Sequence, residues 1–460
     1  MPGLLIAPHI ARGASPTVAT AFGVACGTLQ VNLTTVGNTF SVSNLAFQPK
    51  VLYFWWNGRD DATDAQGEAD HHRGIGCAIS TTQRGCVGSF ATNNAAAAAN
   101  EQSVRNDAVM AILTATGGDG LMDLDAITSD GFRLIVDNAT AAAFALDIEW
   151  VAWGGSEITD TGYAELSTPG VAGNWDTTSL SFQPTFVSFL GTPFSGALPQ
   201  SNGADTSTGF GWARVDADGT SNIAQGVWVG GANDGALDMQ TISYCNDAEC
   251  YAAFNTTPSG LFVRETFVQA LSNGFRLNQT GTEVNLKILA IAVKAGSANI
   301  KAGSLLTRTD GADIVVSSVG HQPKGLLFLS HCKTESTPGT VQDDDEWSMG
   351  CATSATERVA RGVIDNDADA DSNIGTAVEY DEVYINQDVS DPPVIEGLMD
   401  LKSIESNGFT CVMDDTDPAA AFVLWLSVGD APAVAAALRS PYYASYYHHV
   451  LVLQDEEDDE

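Results

Sequence analysis

The stretch Phe47-Gln48-Pro49-Lys50-Val51-Leu52-Tyr53-Phe54-Trp55-Trp56 decides how this chain is read, because its opening returns twice. Phe182-Gln183-Pro184-Thr185 and His321-Gln322-Pro323-Lys324 head two further apolar runs, residues 186–190 and 325–329. About 85 to 90 residues after each opening comes a second signature. It reads Asp130-Gly131-Phe132, Asn273-Gly274-Phe275 and Asn407-Gly408-Phe409. Between the two lie Gly76-Cys77-Ala78, Gly211-Trp212-Ala213 and Gly350-Cys351-Ala352. A fourth echo follows as Arg84-Gly85-Cys86, Gln225-Gly226-Val227 and Arg361-Gly362-Val363. Four ordered matches at a period near 135 to 140 residues have the size of a domain, far longer than a solenoid repeat.

Each opening predicts a strand. Proline fixes φ and lacks a donor, so it belongs at a strand's first residue. The aromatic and branched run behind it suits a strand buried in a sandwich. Each Gly-Phe pair reads as a turn into another strand, with glycine at positive φ and phenylalanine in the core. Closing strands follow at residues 144–153, 284–293 and 421–428. Alternation in the first of these places Asp147 and Glu149 on a solvent-facing side. Residues 95–99 read as a small-residue loop, and 432–438 as a short helix. The expected fold is therefore all-β, with three tandem β-sandwich or jelly-roll domains. The predicted organisation is a lead with strand character over 1–40, repeats over 41–157, 158–297 and 298–432, and an arm over 433–460.

Composition narrows the partners. There are 57 acidic against 20 basic residues, a formal charge of -37. Phosphate recognition needs clustered Lys and Arg, so nucleic acid and anionic membranes are excluded as expected partners. No apolar run reaches the length of a membrane-spanning helix. Residues 1–10 lack the basic start of a signal peptide. Such self-repelling acidity is screened at molar salt, where the Debye length falls to about 3 Å. This points to a salt-rich or marine setting, the alternative being an ordinary acidic mesophilic protein.

The eight cysteines do not read as a disulfide framework. The repeat aligns Cys77 and Cys351 with Trp212, Cys86 with Val227 and Val363, Cys411 with Leu134 and Leu277, and Cys250 with Met110. Positions accepting such side chains are core positions. A local Cys245–Cys250 link stays open.

Candidate chemistry is sparse. Asp70-His71-His72 offers metal-ligand side chains, yet neither histidine recurs, and a solvated loop is the expectation. Asp343-Asp344-Asp345-Glu346 and the run Asp365, Asp367, Asp369 and Asp371 are oxygen-rich. An EF-hand counted from Asp365 or Asp367 would need glycine sixth and glutamate twelfth. Ala370, Ser372, Thr376 and Val378 stand there instead, which leaves a non-EF calcium or sodium site against a screened acidic loop. No other cofactor is expected. No nucleophile elbow, phosphate loop or zinc-protease motif occurs, and no enzymatic activity is expected. Trp55 and Trp56 invite a carbohydrate platform, although in a strand one of the two must face the core. Tyr442, Tyr443, Tyr446 and Tyr447 precede an acidic tail. They read either as packed on the third repeat or as a docking arm for a neighbouring subunit.

With Phe-Gln-Pro leading an aromatic strand and Asn/Asp-Gly-Phe leading a later one, each unit resembles a β-sandwich repeat of tailed-virus structural proteins. Val151-Ala152-Trp153 fits that family's aromatic-alanine-tryptophan ending, whereas Ile291-Ala292-Val293 and Leu426-Ser427-Val428 depart from it. The resemblance covers about residues 40 to 430 as three copies, on short motifs that mark a fold. It implies a virion surface component, a capsid decoration, turret or tail appendage, made in the host cytoplasm and assembled as a homo-oligomer with other virion proteins. A carbohydrate-binding adhesin that meets host-surface glycan through its sandwich loops is the alternative expectation.

Overall fold

The computed structural model describes residues 21–430, apart from 61–62, 94–99, 115–116, 141–144, 203–205, 233–239, 255–259, 283, 297–298, 335–337 and 367–372. Every regular element among them is a strand, and all pairings are antiparallel. They form three seven-stranded and three four-stranded sheets, and the strand order repeats. The first long sheet runs Gly23–Asn32, Ala145–Gly154, Pro49–Trp56, His71–Ala78, Arg84–Ala91 and Asn100–Arg105. The second begins Asp160–Pro169, Val284–Lys294, Phe186–Gly191, and the third Ile300–Leu306, Ala421–Gly429, Pro323–Thr334. Each long sheet is faced by a short one, such as Thr39–Val42, Gly131–Asn138, Gly117–Thr128 and Met110–Thr114 in the first pair.

The seventh strand of each long sheet comes from another pair. Gln200–Asn202 pairs with Asn100–Arg105, and Gln342–Asp343 with Thr241–Asn246. Ala65–Glu68 pairs with Ile374–Glu379. The second pair thus lends to the first, the third to the second, and the first to the third. The exchange closes a ring.

Closure explains why the Phe-Gln-Pro runs are continuously apolar. A strand with one wet face alternates, whereas one covered on both faces does not. Leu52, Phe54 and Trp56 pack under the short sheet, against Phe132 and Leu134. Val51, Tyr53 and Trp55 face a central cluster shared with Phe186, Trp212, Trp228, Leu327 and Trp347 of the other two pairs. The molecule therefore has a core inside each sheet pair and one more among the three.

The recurring Gly-Phe pairs hold, for a different reason than positive φ. Gly131, Gly274 and Gly408 are absent from the positive-φ positions. A Cβ on them would stand 1.9, 1.8 and 2.0 Å from the carbonyl oxygens of Val42, Thr177 and Val316. Close backbone approach forces the glycine. The phenylalanines do fill the core: Phe132, Phe275 and Phe409 sit edge-on to Phe54, Phe189 and Phe328 at 5.6, 5.7 and 5.8 Å.

Three other readings change. Gly23–Asn32 and Thr39–Val42, placed in a lead segment by sequence, are edge strands of the first pair, answering to Asp160–Pro169 and Gly173–Thr177 in the second. The third copy of the Arg-Gly-Cys echo is out of register. Gly76 and Gly211 pair with Cys86 and Val227, but Gly350 pairs with Ala360, so Val363 faces the central cluster instead. Cys250 answers to Val109 rather than Met110, since the carbonyls of Val109, Cys250 and Val383 cap Gly76, Gly211 and Gly350 alike. The loop expected over 95–99, the helix over 432–438 and the arm lie outside the described residues.

Candidate functional site

The polar groups that sequence left to solvent gather where the sheet pairs meet. Asp147 and Glu149 are buried, because the face opposite the short sheet is covered by neighbours. Glu149 pairs with Arg361 of the third pair at 2.8 Å, both side chains fully enclosed. Arg361 also donates to Asn57 Oδ1 (3.0 Å), and Thr28 donates to Glu149 (2.5 Å). Burial pushes the Glu149 carboxyl up, and the Arg361 guanidinium opposes it. Asp147 accepts from Tyr380 at 2.9 Å.

A second node joins all three pairs. Arg73 forms a two-point ion pair with Asp345 at 2.9 and 2.7 Å, and its guanidinium lies 4.8 Å over the Trp228 ring. Trp228 in turn donates to the Glu346 carbonyl at 2.9 Å. Tyr53 and Ser188, at the same place in their respective strands, share a 2.8 Å hydrogen bond. Fork-shaped pairing suits arginine here; lysine could not make the two-point contact.

The residues singled out by sequence fall as follows. Trp55 and Trp56 are both 0 % exposed, one in the central cluster and one in the first sandwich, so neither offers a platform to sugar. Sequence reasoning allowed for one covered face and missed the second. Asp365 ends a strand and is buried, while Asp367, Asp369 and Asp371 lie outside the described residues, as do Tyr442, Tyr443, Tyr446 and Tyr447. His71 and His72 belong to a strand, not a loop. His71 is fully buried, and burial followed by Arg73 and His72 holds its pKa well below the usual value. Asp345 and Glu346 are interior residues, and Lys333 bridges Asp344 and Glu346 at 2.7 and 2.5 Å. Cys245 and Cys250 are free thiols in different clusters, which removes the local link.

Along the exchanged strand Ala65–Glu68 a carboxylate group forms that the sequence could not show. Oxygens of Asp64, Glu379 and Asp381 lie within 4.8 Å of one another. The donor set suits a hard cation such as Ca²⁺. Without one, burial, then Asp64 and Asp381, push Glu379 up to about 7. A carboxyl raised in the folded state contributes its full stability below its ordinary pKa near 4.5 and loses it as pH rises through about 7. Glu379→Gln is therefore expected to raise Tm by about 1–2 °C at pH 8 and leave it unchanged at about pH 4. Scanning calorimetry at both pH values checks this; an equal effect at both would refute the assignment.

A cleft of about 860 Å³ opens between the third and first pairs, lined by Val24, Cys26, Phe47, Trp150, Lys324 and Glu357 among others. Its counterpart between the first and second pairs, at Gln48, Pro49, Lys50 and Ile127, holds about 340 Å³. The described chain begins and ends at the larger cleft, where Asp430 accepts from the Phe22 amide (2.9 Å) and pairs with Lys324 (2.6 Å). No helix among the described residues is long and apolar enough to cross a membrane. No protein-family model matches the chain, and no curated protein matches it either.

Proposed function

We propose that the chain is a structural protein of a tailed-virus particle that occupies a site of threefold local symmetry on the virion exterior. The observation that carries this reading is the ring of exchanged strands. One chain presents three similar faces about a common axis, as a cyclic trimer does, yet with three different sequences. The repeat signatures, which resemble those of virion β-sandwiches, support it. So does the use of the interior arginines to bind the sheet pairs together instead of to meet a reactant.

The ring has two unlike ends. Gly23, Pro49 and Gly154 share one end, where the chain ends also meet. The segments after Trp56, Gly191 and Thr334, including the exchanged strands, leave from the other. Attachment through the first end leaves the exchanged strands and their loops facing a saline exterior. Cryo-electron microscopy of the intact virion is expected to show this ring on a threefold or quasi-threefold axis, with its chain ends toward the particle. Virions lacking such density, or isolated chain that retains glycans on an array, would replace this reading with the adhesin.

A further inference from the structure

The three junctions of the ring are built alike but are not linked alike. Residues 155–159 carry the chain from the first pair to the second, and residues 295–299 from the second to the third. No peptide joins the third pair to the first. Where such a linker would run, Asp430 accepts from the Phe22 amide, and Lys324 donates to the Phe22 carbonyl (2.9 Å) and pairs with Asp430 in a half-exposed contact. The exchanged strand Ala65–Glu68 and the Arg73–Asp345 and Glu149–Arg361 pairs hold the rest of that junction without a covalent bond.

Ladder register identifies the side chains that answer to one another at the three junctions. Val24, Thr161 and Ile300 stand opposite Trp153, Val293 and Val428, so Cys26, Tyr163 and Ala302, two residues on, are equivalent. Cys77, Trp212 and Cys351 stand opposite Tyr53, Ser188 and Leu327 and are equivalent too. All six belong to the central cluster or pack against it. Tyr163 interacts with Cys77 at the first junction, and Ala302 accompanies Trp212 at the second. Each is a large side chain with a small one. At the third both are cysteines. Cys351 interacts electrostatically with Cys26 across this junction, and the Cys26 Sγ lies 3.9 Å from Thr353 Oγ1 and from the Glu357 carbonyl, on the strand that carries Cys351 and on the strand paired with it.

We propose that Cys26 and Cys351 form a disulfide that closes the ring covalently at its one unlinked junction. Access runs through the 860 Å³ cleft, which Cys26 lines, while Cys351 is buried behind it. A small external disulfide is the oxidant. The Cys26 thiolate attacks one of its sulfurs, forming a mixed disulfide and releasing one thiolate, which takes up the proton Cys26 gave up. The Cys351 thiolate then attacks the Cys26 sulfur and releases the second thiol. Two protein thiols thereby lose two electrons and two protons, and the external disulfide gains them. Burial raises the Cys351 thiol well above its ordinary pKa, so the second step is slow, and the bond acts as a lock set outside the reducing cell.

The test takes the full chain, purified reduced, incubated overnight with oxidised glutathione at pH 8.5 under native conditions. Peptide mapping without reduction is expected to recover a Cys26–Cys351 cross-link, the intact mass to fall by about 2 Da, and Tm to rise by about 3–5 °C. Cys26→Ser is expected to abolish all three changes, and Cys86→Ser to abolish none. Glutathione retained on Cys26 without transfer to Cys351, or cross-links distributed among other cysteines, would overturn the proposal. Mapping of the unmutated chain decides the matter even where a variant fails to fold.

Discussion

Arg73→Met is expected to destabilise the folded chain by about 3–5 kcal/mol, a larger loss than any single exposed charge could cause. Arg73 and Asp345 are 1 % and 0 % exposed, so the substitution strands a carboxylate in the interior. It also removes the cation from the Trp228 face. The cost arises mainly from that stranded charge, because the intact pair repays little beyond its own desolvation. The double variant Arg73→Met, Asp345→Leu is therefore expected to recover most of the loss. Urea unfolding of the wild type, both single variants and the double variant closes the cycle. A single variant within about 1 kcal/mol of wild type would show that water reaches the node, and the three-way contact would then carry no weight.

Residues 22–158 expressed alone are expected not to yield a folded monomer. In the ring, this stretch covers Val51, Tyr53, Trp55, Ile75, Cys77, Val87, Val104, Val151 and Trp153 with neighbouring pairs. Exposing such side chains costs about 1.5–3 kcal/mol each, a total on the order of the whole stability of a domain. Two further losses compound this. Glu149 and Arg73 lose Arg361 and Asp345, and the Asn100–Arg105 edge loses the strand Gln200–Asn202. Light scattering and near-ultraviolet circular dichroism in molar KCl are expected to show aggregate, or a self-associated trimer that rebuilds the central cluster. A monomer with a sharp thermal transition would refute a shared core.

How much of this was legible depended on which surface a residue met. The Phe-Gln-Pro heads, the Gly-Phe signatures and the cysteines Cys86, Cys250 and Cys411 serve contacts inside a sheet pair. Those contacts recur at a fixed period, so the repeat exposed them. Residues at the junctions do not recur. Arg73 answers to Thr208 and Trp347, and Glu149 to Leu289 and Leu424. With one chain supplying all three faces, each junction can use different chemistry, and a comparison between repeats then reads a buried partner as a variable surface residue. For that reason the sequence presents Asp147, Glu149 and His71 as solvent-facing and one of Trp55 and Trp56 as free to leave the core, although all five are buried.

The sequence by itself determined that the chain is all-β and that its framework occurs three times, because strand alternation and proline heads are local demands on the backbone that recur along the chain. Only the tertiary structure decided that the three frameworks lend strands around a ring and share a core. Residues such as Arg73 and Asp345 lie 272 positions apart, and their pairing depends on how whole sheets dock, which no spacing along the chain encodes.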